Sequence, residues 1–167
     1  MCIRDSPATI IKPNFKNFTV WHHIDEKWSA SWGFDKTQPG CYIYGLYDSV
    51  PAGPADFLDA GVVYIGESRA ITRNCMLGRR TDFKGTVRNP RLSPYGCGTA
   101  FKKHFGADKI DKVYQAYLPM HPSLCKSSEI ELLAEYHNKY NRIPLCNPEL
   151  DLTRVKKFIE EKTNEID

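Results

Sequence analysis

The chain has 167 residues and a mass of 19.1 kDa, which suits one domain that buries roughly two thirds of its unfolded surface. Apolar residues make up 41% and charged residues 26% of it, which excludes wholesale disorder and collagen-like structure. No apolar run reaches the ~18 residues that a bilayer-spanning helix needs, so no membrane partner is expected. The formal net charge of +3 is unevenly distributed along the chain.

The positive charge is concentrated in residues 69–103. This segment holds nine Lys and Arg residues and one acid, Asp82, a local balance of +8, while the rest of the chain balances to −5. A central segment of one sign is typical of a protein whose partner has the opposite sign, most often a polyanion such as DNA. A solvated basic loop without a partner is the alternative.

The N-terminal part divides into two segments. Residues 1–6 resemble the translated end of a sequencing adaptor, a contaminant of metagenomic gene predictions, so we leave them out of the fold prediction and expect the natural N-terminus to be missing. Residues 7–39 form an aromatic extension with all three tryptophans, Trp21, Trp28 and Trp32. Large aromatics supply much of the buried area of a small domain, so we expect a packing flap; stacking on nucleic-acid bases is the alternative.

A core domain is predicted over residues 40–150. Aromatic and β-branched residues indicate three strands, at 41–47, 62–65 and 112–118. Helices are expected over 70–83 and 99–105, with a Gly- and Pro-rich loop at 84–98 between them. The elements predict an α/β fold of the α+β sandwich type, in which helices flank a small, mainly antiparallel three-stranded sheet.

Two further helices follow the third strand. The sequence Ser128-Glu129-Ile130-Glu131 has the form of a capping box and predicts a helix from that point to about Tyr140. Glu129 would then lie in the first turn, where the helix dipole favours a carboxylate. Residues 151–167 are predicted to form a charged C-terminal helix that packs on the domain.

The six cysteines contain no C-x-x-C pair, which argues against a structural zinc site. Nothing near the N-terminus resembles a secretory signal. A reducing, cytoplasmic setting with free thiols is therefore expected.

Two strand motifs and three downstream residues form an ordered series. The motifs are Gly40-Cys41-Tyr42 and Tyr64-Ile65-Gly66, and an arginine, a glutamate and an asparagine follow them. This series resembles the GIY-YIG nuclease family over roughly residues 40–147, with Cys41 where the family has isoleucine. The resemblance implies a hydrolase, an endonuclease that cleaves the phosphodiester bonds of DNA with one Mg²⁺ or Mn²⁺ ion as cofactor.

The resemblance also implies a set of catalytic residues, carried over by position: Tyr42, Tyr64, Arg79, Glu129 and Asn147. Arg80 is the alternative to Arg79, and Glu131 is the alternative to Glu129 as the metal ligand. Many family members have a histidine four residues after the arginine, where this chain has Phe83. A second acid or base would then come from elsewhere, with His104 and Lys102 as candidates.

Phosphodiester hydrolysis explains why these residue types are needed. The reaction requires an attacking water and stabilisation of negative charge on the phosphate oxygens. One carboxylate such as Glu129 holds Mg²⁺, and the planar guanidinium of Arg79 grips a phosphate. By the resemblance, Tyr42 orients or deprotonates the water and Tyr64 donates a hydrogen bond nearby. An ordinary phenol has a pKa of about 10, so a basic role needs neighbouring positive charge.

Basic side chains around the site are expected to contact DNA phosphates, which gives salt-dependent affinity without reading sequence. They are Arg69, Arg73, Arg80, Lys84, Arg88, Arg91, Lys102, Lys103 and His104. Two alternatives stay open. One is a catalytically inactive nucleic-acid-binding module of the same fold, and the other is the nuclease part of a truncated repair, restriction or mobile-element protein whose DNA-reading domain is missing.

Overall fold

The computed structural model describes residues 10–72, 75–89 and 96–166. They form an α+β fold in which helices cover both faces of a four-stranded antiparallel sheet. The strands are β1 (His22–His23), β2 (Gly40–Leu46), β3 (Val62–Ser68) and β4 (Val113–Pro119), in the spatial order β1-β4-β2-β3. The predicted fold class is confirmed at this level, but the prediction of three strands is wrong by one.

The additional strand comes from the N-terminal extension. In β1, His22 pairs with Gln115 and His23 with Tyr114 of β4. Backbone bonds from Thr19 to Tyr117 and from Ile24 to Val113, both 2.9–3.0 Å, continue this contact on either side. A strand of two residues has no periodicity, so the sequence pattern gave no signal for it.

The helices differ from the predicted ones mainly in their bounds. They are α1 (Met76–Arg88), α2 (Gly96–Phe105), α3 (Pro122–Tyr140) and α4 (Glu149–Asn164). The prediction of a loop over 84–98 is wrong at both ends, because α1 continues to Arg88 and α2 already begins at Gly96. Residues 90–95 lie outside the described part of the chain.

The predicted start of α3 at Ser128 is also wrong. The helix begins two turns earlier, with Pro122 in its first turn and His121 as the N-cap, whose Nδ1 accepts a hydrogen bond from the Ser123 amide at 3.2 Å. Proline suits this position because its missing N–H has no partner in a helix anyway. Glu129 therefore lies well inside the helix. It is not in the first turn, where the sequence pattern placed it and where the helix dipole would favour a carboxylate.

Two hydrophobic layers enclose the sheet. Side chains of β2 alternate between them, as the pleat of a strand requires. Cys41 and Ile43 pack with residues of α3 and α4, whereas Tyr42 and Tyr44 pack with residues of α1 and α2. We refer to these as the α3–α4 layer and the α1–α2 layer.

The N-terminal extension contributes to both layers. Trp21 is buried in the α3–α4 layer and Trp32 in the α1–α2 layer, so the packing interpretation is confirmed for these two tryptophans. The His22 ring stacks on Trp32 with a centroid distance of 3.8 Å, and Trp32 stacks on Tyr117 at 5.9 Å. The extension is thus part of the hydrophobic core of the domain.

No helix of the described ranges has the length and apolar character that crossing a membrane requires. The five cysteines within these ranges are buried free thiols, as expected: Cys41, Cys75, Cys97, Cys125 and Cys146.

Candidate active site

The tyrosines of the two motifs meet over Gly66. The register of β2 and β3 places Tyr42 opposite Gly66 and Tyr44 opposite Tyr64. A Cβ atom on Gly66 would lie 2.9 Å from Tyr42 Oη and 2.6 Å from Tyr64 Cε1, closer than carbon atoms pack. The glycine of the second motif therefore leaves the space into which both tyrosines extend, with their ring centroids 5.9 Å apart.

The glycine of the first motif is required by close packing. A Cβ atom on Gly40 would contact the Leu118 carbonyl oxygen and would lie 2.9 Å from Met76 Sδ. β4 and the start of α1 approach the strand at this point, so no side chain fits. The two motif glycines thus fix the distances between strands and helix around the tyrosines.

The two tyrosines differ in access to solvent. Tyr42 is only 1% exposed, whereas Tyr64 is half-buried on the outermost strand of the sheet. Tyr64 is therefore the tyrosine of the pair that a ligand reaches first.

Arg79 lies near the start of α1, the helix that packs over these tyrosines. Its amide donates a hydrogen bond to the Cys75 carbonyl at 2.9 Å, and its side chain is half-buried. The neighbouring Arg80 has a different environment, because its guanidinium donates to the Glu26 carbonyl of the N-terminal extension at 2.6 Å. Of the two arginines, Arg80 is thus engaged in holding the extension.

Phe83, at the position where the family has histidine, is a core residue. It is fully buried, and its ring stacks on Tyr44 at a centroid distance of 4.6 Å. Among the suggested replacements, His104 is exposed at the end of α2 and lines a cleft of about 390 Å³ with Asn147, while Lys102 is half-buried in the same last turn. His104 and Asn147 are therefore brought into one cleft.

Glu129 lies in the other layer, on α3. Its side chain is 12% exposed, and Arg154 of α4 donates to its Oε1 at 3.2 Å and to Asp151 Oδ1 at 2.9 Å. Burial raises the pKa of Glu129 to about 7; the Arg154 charge opposes this rise, and the charges of Asp151 and Glu67 add to it. The structure thus does not bring Glu129 onto the face of the sheet that carries the tyrosines.

Glu67 is a neighbouring carboxylate that the sequence analysis missed. It follows Gly66 directly in β3, on the same face of the strand as Ile65 and hence in the α3–α4 layer. Its Oε1 lies 3.5 Å from Arg69 Nε, and its buried Oε2 has no hydrogen-bond partner in the part of the chain that the structure describes. The prediction ended the strand at Gly66; continuing its two-residue alternation would have identified Glu67.

The other glutamate considered as a metal ligand, Glu131, points elsewhere. Its Oε2 lies 2.7 Å from Lys12 Nζ, and both residues line a cleft with Asp56 and Phe57. Within the described ranges, no group of three or more His, Cys, Asp and Glu side chains is arranged to hold a metal ion. Neither Glu129 nor Glu131 therefore belongs to such a group within these ranges.

Asn147 binds the outer edge of β3. Its Oδ1 accepts from the Ile65 amide at 3.1 Å, and its Nδ2 donates to the Ile65 carbonyl at 2.8 Å and to Asp151 Oδ2 at 3.0 Å. The Cys146 amide extends this contact to the Val63 carbonyl. Asn147 is thus placed to position the second motif and to connect it with α4.

Three of the expected phosphate contacts are used within the chain. Arg80, Lys84 and Arg88 recur every four residues along α1 and bind the turn at Asp25 and Glu26. Arg88 holds both Asp25 oxygens at 2.7 Å, and Lys84 approaches one of them at 2.8 Å. Hydrogen bonds from Arg88 and Lys84 keep the pKa of Asp25 well below its ordinary value.

The other expected contacts are scattered. Arg69 pairs with Glu67, and Lys102, Lys103 and His104 lie in the last turn of α2. Arg73 and Arg91 lie outside the described residues. The contiguous basic segment of the sequence is therefore not a contiguous basic surface in the described part of the fold.

Comparisons with protein-family models, with curated proteins and with solved structures found no match for the chain. What defines the site is its own geometry. Two tyrosines and the helix that carries Arg79 occupy one layer, the carboxylates Glu129, Glu67 and Asp151 occupy the other, and β3 is the edge strand that both groups share.

Proposed function

We propose that this protein is a metal-dependent DNA endonuclease that hydrolyses phosphodiester bonds beside β3, the outermost strand of the sheet, as its resemblance to the GIY-YIG family implies. The observation that carries the proposal is the convergence of Tyr42 and Tyr64 over Gly66, beneath the helix that contains Arg79. This arrangement supports the proposal because the two tyrosines and the helix that carries Arg79 come from separate segments of the chain and meet in one layer.

The edge position of β3 gives both layers access to one substrate. β3 is the outermost strand, and Asn147 covers its edge as far as Ile65. A phosphodiester lying against the end of β3, beyond Ile65, would face Tyr64 and Arg79 from one side and Glu129 from the other. Arg79 would then neutralise charge that develops on the phosphate oxygens, and Tyr64 would donate a hydrogen bond to the attacking water or to the phosphate.

In this proposal, Glu129 and Glu67 would be the carboxylates that bind a hydrated Mg²⁺ ion. Mg²⁺ commonly keeps several waters and binds protein through one or two carboxylates. Glu129 would hold the ion, and the unpartnered Oε2 of Glu67 is an acceptor that accords with a cation at this place. When bound, the ion would polarise a phosphate oxygen and lower the pKa of a bound water.

The test is plasmid nicking with Mg²⁺ and with EDTA, by the wild type and by two matched variants. Glu129→Gln is expected to lower the rate by roughly 10²-fold, the scale on which a preorganised electrostatic group acts. Glu131→Gln, on the same helix but facing Lys12, is expected to cut like the wild type. Cleavage by Glu129→Gln at the wild-type rate, or undiminished cleavage in EDTA, would contradict the proposal.

A second candidate is a nucleic-acid-binding module without catalytic activity. The burial of Phe83 at the histidine position and of Tyr42 at the first tyrosine favours it. This candidate predicts salt-dependent DNA binding with no cleavage in either Mg²⁺ or Mn²⁺. The same nicking assay, combined with a binding measurement in EDTA, separates the two candidates.

A further inference from the structure

The groove between α3 and α4 is lined mainly by cations. The cations Lys84 and Arg88 of α1, by contrast, are paired with Asp25. The groove encloses about 600 Å³ and lies in the layer that holds Glu129. Four of its five charged lining residues are cations: Arg69, Lys126, Arg154 and Lys157, with Glu161 as the single acid. Of these cations only Arg69 belongs to the basic segment of the sequence.

Two of the four cations have no acidic partner among the residues that the structure describes. Arg69 and Arg154 pair with Glu67, Glu129 and Asp151 behind the groove. Lys126 and Lys157 are exposed, and neither forms an ion pair with another residue of the described ranges. They line the same groove from α3 and α4, so their charge is available to an anion there, in contrast to that of Lys84 and Arg88.

The floor of the groove is apolar. Ile130 and Phe158 line it from the two helices, and both are partly buried against the core of this layer. A single nucleic-acid strand has both features that match such a groove, because its phosphates seek cations and its unpaired bases have apolar faces. A duplex presents its phosphates outward and keeps its bases stacked inside, so it would leave the apolar floor uncovered.

We propose that the α3–α4 groove binds a single strand of DNA, with Lys126 and Lys157 on its phosphates and Ile130 and Phe158 against its bases. Arg154 lines the groove and also contacts Glu129, so it connects the two sites. The further inference that the bound strand continues toward Glu129 rests on the proposed nuclease function, whereas the binding in the groove does not. The groove thus holds the strand next to the carboxylates.

The test is the affinity of a short fluorescent single strand for the full chain in EDTA, measured over a series of salt concentrations. The double variant Lys126→Gln, Lys157→Gln is expected to bind at least about tenfold more weakly and to lower the slope of log affinity against log salt by about 1–2. The matched control is Lys16→Gln, Lys27→Gln, which removes two exposed lysines of the N-terminal extension. It should retain wild-type affinity and slope, and circular dichroism checks that both variants fold.

Equal losses in the groove variant and the control, or an unchanged salt slope in the groove variant, overturn the proposal. Tighter binding of a duplex of the same sequence by the wild type overturns the assignment to a single strand. Because EDTA removes the metal, the result does not depend on cleavage. A chain that binds through the groove but never cuts contradicts only the nuclease proposal, and one that cuts without using the groove contradicts only this one.

Discussion

The two layers of this domain use charge in opposite ways. On α1, the cations Lys84 and Arg88 are matched by Asp25 of the N-terminal extension, so a strongly basic stretch of sequence becomes part of the structure. In α3 and α4 the numbers of acidic and basic residues are nearly equal. Even so, Glu129 is largely buried, and Lys126 and Lys157 have no acidic partner among the described residues. Charge counted along a sequence therefore does not measure the charge that a ligand meets.

The largest change in the free energy of unfolding is expected for a substitution at Glu129. Its folded-state pKa is raised to about 7, so the folded chain holds this proton over a range in which the unfolded chain has lost it. The stabilisation is complete at acid pH and is lost as the pH rises from about 5 to about 8. Glu129→Gln, which stays neutral, should gain about 2–3 kcal/mol relative to the wild type over that interval.

Urea unfolding of both proteins at several pH values measures this gain. Glu131→Gln is the matched control and should follow the wild type. A constant difference between Glu129→Gln and the wild type from acid to alkaline pH would show that Glu129 is not desolvated in the folded chain.

A smaller effect is expected in the α1–α2 layer at Gly66. Gly66→Ala places a methyl group 2.6–2.9 Å from atoms of Tyr42 and Tyr64, so the rings must move or the strands must separate. Overpacking of this kind costs about 2 kcal/mol. Gly96→Ala, where a Cβ atom meets nothing within 4 Å, is the control and should change the thermal midpoint little. Equal thermal midpoints for the two variants would contradict the close packing of the tyrosines.

The smallest effect is expected at the surface ion pairs of α1. Asp25→Asn removes the partner of Lys84 and Arg88 and should cost about 1 kcal/mol, since the Asp25 side chain is 37% exposed and solvent screens the pairs. Because the pKa of Asp25 is lowered in the folded chain, its contribution is present above about pH 4 and is lost as the pH falls further.

The measurement is again urea unfolding, with Asp82→Asn as the control because Asp82 is exposed on the same helix. The difference between Asp25→Asn and the wild type should shrink under acid conditions, which is the opposite pH direction from Glu129. A difference that persists at low pH would mean that the ion pairs are not its source.

The sheet was largely predictable from sequence and the helix bounds were not. The aromatic and β-branched runs placed β2 and β4 within a residue of their observed ends. The start of α3 was missed because Ser128-Glu129-Ile130-Glu131 imitates a cap, while the real cap uses His121, an uncommon residue there. Local patterns of this kind do not show which of two possible starts the rest of the fold selects.

The site was predictable in its parts but not in its arrangement. The resemblance placed Tyr42 and Tyr64 in one predicted site, and the observed pairing of β2 with β3 makes them neighbours across the two strands. The separation of Glu129 from the tyrosines depends on which face of the sheet α3 covers. The pairing of Asp25 with Arg88 joins residues far apart in the chain. Neither the sheet face that α3 covers nor the pairing of Asp25 with Arg88 can be predicted from local sequence patterns.

The short strand β1 has a consequence for how copies of this protein behave together. Unpaired strand edges are where sheets join other sheets and begin to aggregate. Here β1 and its flanking bonds cover β4, and Cys146 and Asn147 cover β3 as far as Ile65. Within the described ranges, neither border of the sheet is thus left with a long open ladder, so few unpaired backbone groups remain to which a second chain could add a strand.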